Sequence, residues 1–208
     1  MSAVHLREGF DPAQREAVAA LYHAAFSQKL RAALGAPDDA IEFLTAIIDP
    51  NFAIVAEVDG APVGVAGYKT ADGAFTGGKG AGKILVQHYG TFGALWRGAL
   101  LSLLEREAVP GILLMDGLAV LPDMRGRGVG TLLLAAIDAK AKSLTCDAVR
   151  LDVVDINPRA RALYEREGFV ATERTGLGVF AWAFGFREVT TMMRPVTTQG
   201  WPSPTIDG

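Results

Sequence analysis

Apolar residues recur at helical intervals through the first part of the chain. Val18, Leu21, Tyr22 and Phe26 follow Asp11-Pro12, a capping residue and a proline at the first helical position, so the spacing predicts a helix over 12–30. Pro37-Asp38-Asp39 starts a second helix, with Ile41, Phe43, Leu44, Ile47 and Ile48 apolar, and Pro50-Asn51 ends it. Ala3 to Arg7 reads as a short strand. Phe52 to Val58 and Ala61 to Lys69 read as two strands joined by the turn signal Asp59-Gly60, an antiparallel hairpin.

Leu85, Tyr89, Phe92, Trp96, Leu100 and Leu103 return to helical spacing, so 85–107 is an amphipathic helical region with a break expected near Gly90 or Gly93. Ile112 to Leu121 is apolar almost throughout, the pattern of a central strand. A helix over 127–144, a strand from Ala148 to Val154, a helix opened by Asn157-Pro158 and stopped by Gly168, and strands at Phe169–Thr175 and Arg187–Arg194 complete the pattern. The order β-α-α-β-β-α-β-α-β-α-β-β predicts an α/β or α+β fold on a mixed sheet. Residues 1–195 form a single domain in this reading. Residues 196–208 carry little that can pack and are expected to be a loose tail.

Two stretches resist a simple assignment. Residues 71–83 are glycine-rich and twice approach the phosphate-binding pattern G-x-x-x-x-G-K-[ST]. In both cases the hydroxyl that would hold a magnesium ion is missing, which leaves a flexible loop. Phe180, Trp182, Phe184 and Phe186 alternate at strand spacing, as core residues or as a substrate-pocket wall or homodimer face.

Composition narrows the function classes. The 208 residues are half hydrophobic and 21% charged, a globular composition. A net charge of −3 argues against general nucleic-acid binding. One cysteine, Cys146, and three scattered histidines give neither an internal disulfide nor a zinc framework. The N-terminal charges come too early for a secretory signal, and the apolar run at Ile112–Val120 is interrupted by Asp116 and too short for a bilayer. The expectation is therefore a soluble cytoplasmic protein.

The candidate chemistry lies just after the central strand, in Leu118-Ala-Val-Leu-Pro-Asp-Met-Arg-Gly-Arg-Gly-Val-Gly-Thr131. Gly126, Gly128 and Gly130 leave the backbone bare at the start of a helix. There, unpaired N–H donors and the helix dipole favour phosphate. Arg125 and Arg127 add guanidinium forks suited to phosphate oxygens. These features make a pyrophosphate cradle.

Arg125-Gly126-Arg127-Gly128-Val129-Gly130 resembles the acetyl-CoA motif R/Q-x-x-G-x-G/A of the GNAT superfamily of N-acetyltransferases. Asn157-Pro-Arg-Ala-Arg-Ala-Leu-Tyr164-Glu-Arg-Glu-Gly168-Phe169, roughly thirty residues on, resembles that superfamily's second motif. The likeness is clearest over residues 112–170. It implies a mostly antiparallel sheet of about seven strands, splayed at the central strand and flanked by helices. It also implies that Leu118, Ala119 and Val120 bind the pantetheine arm of acetyl-CoA through their backbone, and that Arg125 to Thr131 bind the pyrophosphate. Asn157 would meet the cofactor near its thiol end, and Tyr164 would act as general acid toward the departing thiolate. The implied function is acetyl transfer to a primary amine by direct attack, without a metal; the acceptor would be a small molecule or a peptide. The alternative is an acyl-CoA-binding sensor or interaction module that does not turn over.

Asp116 is the candidate base. A carboxylate within an apolar strand is expected to have a raised pKa. The competing role is structural, with Asp116 capping a bulge at Gly117.

Overall fold

The computed structural model describes residues 3–78, 80–104, 107–178 and 181–196. Seven strands form one sheet in the order β1-β2-β3-β4-β5-β7-β6. They are β1 (His5–Glu8), β2 (Ala53–Val58), β3 (Ala61–Lys69), β4 (Ile112–Val120), β5 (Ala148–Val154), β6 (Val170–Gly176) and β7 (Glu188–Pro195). Every pairing is antiparallel except that of β4 with β5. The helices are α1 (Arg15–Leu34), α2 (Pro37–Ile47), α3 (Ala81–Leu104), α4 (Val129–Ser143), α5 (Pro158–Arg166) and the short α6 (Ala181–Phe184). Among the described residues no helix is long and apolar enough to cross a membrane.

Strand alternation distributes the core over both faces of the sheet. Ala53 and Val55 of β2 point to a cluster with Val18, Leu21, Tyr22, Phe43 and Leu44 from α1 and α2. Ile54 and Ala56 point to the other face, where Leu133, Leu134 and Ile137 of α4 pack with Leu113, Val149 and Leu151. Burial on both faces explains why β2 and β4 read as nearly continuous apolar runs.

Two irregularities in β4 shape the molecule. Gly67 of β3 pairs with Gly117, but the next residue, Tyr68, pairs with Met115. Asp116 is therefore the extra residue of a β-bulge, which re-aims its side chain and breaks the regular ladder. On the other edge, β4 pairs with β5 only through Ile112–Ala148, Leu113–Val149 and Leu114–Arg150. Past that point β4 stays with β3 and β5 stays with β7, so the sheet opens between them.

The break expected in the helix after residue 85 falls at Gly90, whose φ of 69° and ψ of 170° interrupt α3. The loose tail expected from residue 196 lies, from 197 on, outside the described residues. Val196 itself is anchored, its N–H donating to the Asp147 carbonyl at 2.8 Å.

Candidate active site

The opening between β4 and β5 leads into a groove of about 700 Å³. Leu118, Ala119 and Val120 form one wall and Asp152, Val153 and Val154 the other. Arg125, Gly126, Gly128, Gly130 and Thr131 lie at one end, with Asn157 and Tyr164 also in the lining. The backbone edge of Leu118 to Val120 that faces β5 is left without a strand partner, which suits an extended amide-bearing chain.

At the head of α4 the glycines have distinct reasons. Gly126 and Gly128 both have φ of 80°, a left-handed conformation that ordinary residues adopt at a cost. Gly130 packs under Leu163, where a Cβ would lie 3.0 Å from Leu163 Cδ2. Together they shape the turn into α4, whose first N–H groups have no partner within the helix, the arrangement that favours an anion.

The side chains of this stretch are used differently. Val129 is buried in the core and does not line the groove. The Thr131 hydroxyl donates to Glu167 Oε1 at 2.7 Å. Arg125 Nε donates to the Val120 carbonyl at 3.0 Å, which anchors the arginine beside the groove. Arg127 is exposed and does not line the groove. Asn157 caps α5, its side-chain oxygen accepting from Ala160 N–H at 3.1 Å.

A second cavity, of about 340 Å³, lies on the other side of the opening. Tyr22, Phe26, Leu30 and Leu34 of α1, Phe43, Leu44 and Ile47 of α2, and Leu85 and Leu101 of α3 give it a largely apolar wall. Asp116, Asp152, Thr76 and Lys69 are among its polar lining. Phe26, Asp152 and Tyr164 line both spaces, so groove and cavity meet at these three residues.

Tyr164 is buried, with its ring edge-on to Phe169 at 5.9 Å between centroids. Burial pushes its phenol up to about 12, so it keeps its proton at neutral pH. Asp116 is held by the Thr76 backbone N–H and hydroxyl, both donating to Oδ2 at 2.6 Å. Neighbouring Gly117 allows Phe26 and Tyr22 to sit directly on β4, since a Cβ there would lie 2.6 Å from Phe26 Cζ. Tyr22 Oη donates to the Asp116 carbonyl at 3.3 Å.

One reading of the sequence is corrected. Residues 71–83 are not simply a flexible loop. Phe75 is fully buried, its N–H donates to the Tyr68 carbonyl at 3.0 Å, and its carbonyl accepts from Asp49 N–H at 3.0 Å. This anchor brings Thr76 to Asp116 and places Gly77, Gly78 and Gly82 in the cavity wall. The aromatic stretch lies between the last two strands, and its alternation is not that of a strand. It contains α6, with Phe184 and Phe186 buried and Trp182 87% exposed; Phe180 lies outside the described residues. Phe186 lines the groove.

Asp152 is the one residue at this junction to which the sequence drew no attention. Its Oδ1 accepts from the Thr191 hydroxyl at 2.8 Å, with the Arg150 guanidinium at 3.9 Å. Its place is the counterpart of that of Asp116, just past the last residue pair between β4 and β5, but it sits in an alternating strand that also carries Arg150 and so does not stand out in the sequence.

The sequence that builds this sheet, opened beside a glycine-lined helix start, is matched by a family model. The model is described as Acetyltransferase (GNAT) family and aligns with residues 15–169. The chain belongs to this family. Solved structures share the fold. An N-acetyltransferase from Staphylococcus aureus Mu50 superposes with a TM-score of 0.65 at 17% identity, covering 91% of this chain and 100% of that one. A Salmonella typhimurium protein solved with its cofactor acetyl-CoA gives 0.57 at 16% identity, covering 97% and 99%. A variant of an agmatine N-acetyltransferase gives 0.59 at 16% identity, covering 92% and 99%. No curated protein matches the sequence closely enough to count as a relative.

Proposed function

We propose that this GNAT-family chain transfers the acetyl group of acetyl-CoA to a primary amine by direct attack. The observation that carries the reading is the meeting of two spaces at Tyr164. One is a groove with a glycine-lined helix start, and the other is a cavity bearing carboxylates.

The pyrophosphate would sit on the N–H groups at the head of α4, beside Arg125. The pantetheine arm would run along Leu118 to Val120 toward Tyr164. The amine nitrogen attacks the thioester carbonyl carbon and the carbon–sulfur bond breaks. The thiolate leaves with the electron pair and takes the Tyr164 proton, while the amine gives up its own proton. A protonated phenol beside a departing thiolate is in the right state to act. A lysine-like amine of pKa ~10.4 is neutral in only about one part in 2,500 at pH 7, a cost of roughly 4.6 kcal/mol. Asp116, in the cavity and held in place by Thr76, is positioned to receive that proton directly or through water.

The test pairs acetyl-CoA calorimetry with thiol release across a panel of primary amines. Binding with acceptor-dependent release is expected. Binding without release on every acceptor would instead identify an acyl-CoA-binding module.

A further inference from the structure

Building on the transfer reading, we infer that the acceptor is a hydrophobic monoamine. Its nitrogen would lie between Asp116 and Asp152, and its alkyl or arylalkyl body along α1 toward Leu34 and Phe43.

The carboxylates are placed by the opening of the sheet. Leu114 and Arg150 are the last residues paired across β4 and β5. Asp116 and Asp152 each follow two residues later, one on each separating strand, and both line the cavity. Asp152 and Tyr164 also line the groove, so this end of the cavity is where an acceptor nitrogen meets the thioester. The donors fixed on these carboxylates include two threonine hydroxyls, which orient them without adding positive charge. Lys69 lies at the same end, in register with Leu114, and behind the lining the Arg150 guanidinium stands 3.9 Å from Asp152 Oδ1, so the two acids share this end with these cations.

The rest of the cavity has a different character. Leu30 and Leu34 lie one and two turns beyond Phe26 on α1, about 6 and 12 Å along its axis. Around them stand Phe43, Leu44, Ile47, Leu85 and Leu101. Among the described lining residues this region holds no charged side chain. A diamine or guanidino-amine would have to bring its second cation there, against apolar side chains and with no counter-charge in the described lining. An amino acid would have to bring its own carboxylate beside Asp116 and Asp152. An amine with an apolar body meets neither penalty.

The n-alkylamines from propylamine to octylamine provide the test, because their pKa barely changes along the series. With acetyl-CoA saturating, kcat/KM from thiol release is expected to rise about fourfold per methylene until the apolar wall is covered. Phenethylamine is expected to outperform agmatine, spermidine and glutamate. A flat series, or preference for a polycation or an amino acid, overturns the inference and leaves acetyl transfer standing. Silence on every amine despite bound acetyl-CoA removes the transfer reading as well. Leu101→Glu, which puts a carboxylate at the half-buried apolar end, is expected to lower the hexylamine-to-agmatine ratio at least tenfold. An unchanged ratio in that variant also overturns the inference.

Discussion

At the scale of single residues, Tyr164 gives the sharpest expectations. Replacing it with phenylalanine keeps the ring against Phe169 and removes only the proton donor, so kcat should fall by about two orders of magnitude with little change in KM. Its titration also has a direction. Burial raises the phenol from its ordinary value to about 12, so the group holds its proton throughout the neutral and mildly alkaline range. The pH–rate profile should therefore rise as the amine acceptor deprotonates and show no downturn below pH 10 from loss of this proton. A downturn near neutrality would assign the acid role elsewhere. For Asp116, the neutral isostere asparagine retains an oxygen for the Thr76 donors. Asp116→Asn is expected to lower kcat/KM most at low pH, and a profile superimposable on the wild type would remove it from proton transfer. Asp116, which lines the cavity, stood out in the sequence because it breaks an apolar run. Asp152 did not, because alternate residues of β5 are only half-buried and such a pattern reads as an ordinary solvated strand face. The separation of β4 from β5 turns that face toward the groove, and that separation is a property of two strands together.

At the scale of elements, the helix starts were legible and the loops were not. Caps, prolines and glycines act within a few residues, so the beginnings of α4 and α5 could be read locally. The loop over 71–83 could not. Its glycines advertise freedom, while its structure depends on Phe75 entering a pocket made by distant strands and helices. The bulge in β4 is a similar case, since it requires the β3 register to be known. Both element-level features have measurable consequences. Gly128→Glu forces an ordinary residue to φ of 80° and brings a carboxylate to the anion site proposed at the head of α4. Calorimetry should show acetyl-CoA affinity weakened by at least about a hundredfold, with the circular dichroism spectrum retained. Normal affinity would move the pyrophosphate away from α4. Gly117→Ala drives a methyl into Phe26 and Tyr22, which is expected to cost about 1–3 kcal/mol in urea unfolding. It should also lower turnover, because Phe26 is a wall of both groove and cavity.

At the scale of the whole molecule, the separated halves of the sheet need something to hold them at a fixed spacing. β4 and β5 share only three residue pairs, so the ladder alone is a weak clamp. A buried arginine on β7 supplies another. Arg194 Nη2 donates to Asp138 of α4 at 3.1 Å, and Nη1 donates to the Glu167 carbonyl just after α5 at 2.9 Å. Its guanidinium also lies over the Phe169 ring, 4.7 Å from the centroid. Glu167 in turn accepts from Thr131 in the first turn of α4, so one connected set of contacts joins the glycine-lined end of the groove to the helix that carries Tyr164. A buried pair is costly to form and costlier to leave half-made. Asp138→Ala should therefore destabilise the protein by about 3 kcal/mol in urea unfolding, well beyond a surface carboxylate replaced in the same way. Because the clamp spans both sides of the groove, acetyl-CoA should bind less tightly to the folded variant, although Asp138 does not line the groove. A large loss of stability with cofactor affinity intact would mean that the groove keeps its width through the sheet alone. Loss of both would identify Arg194 as the strut that spaces the two halves of the site.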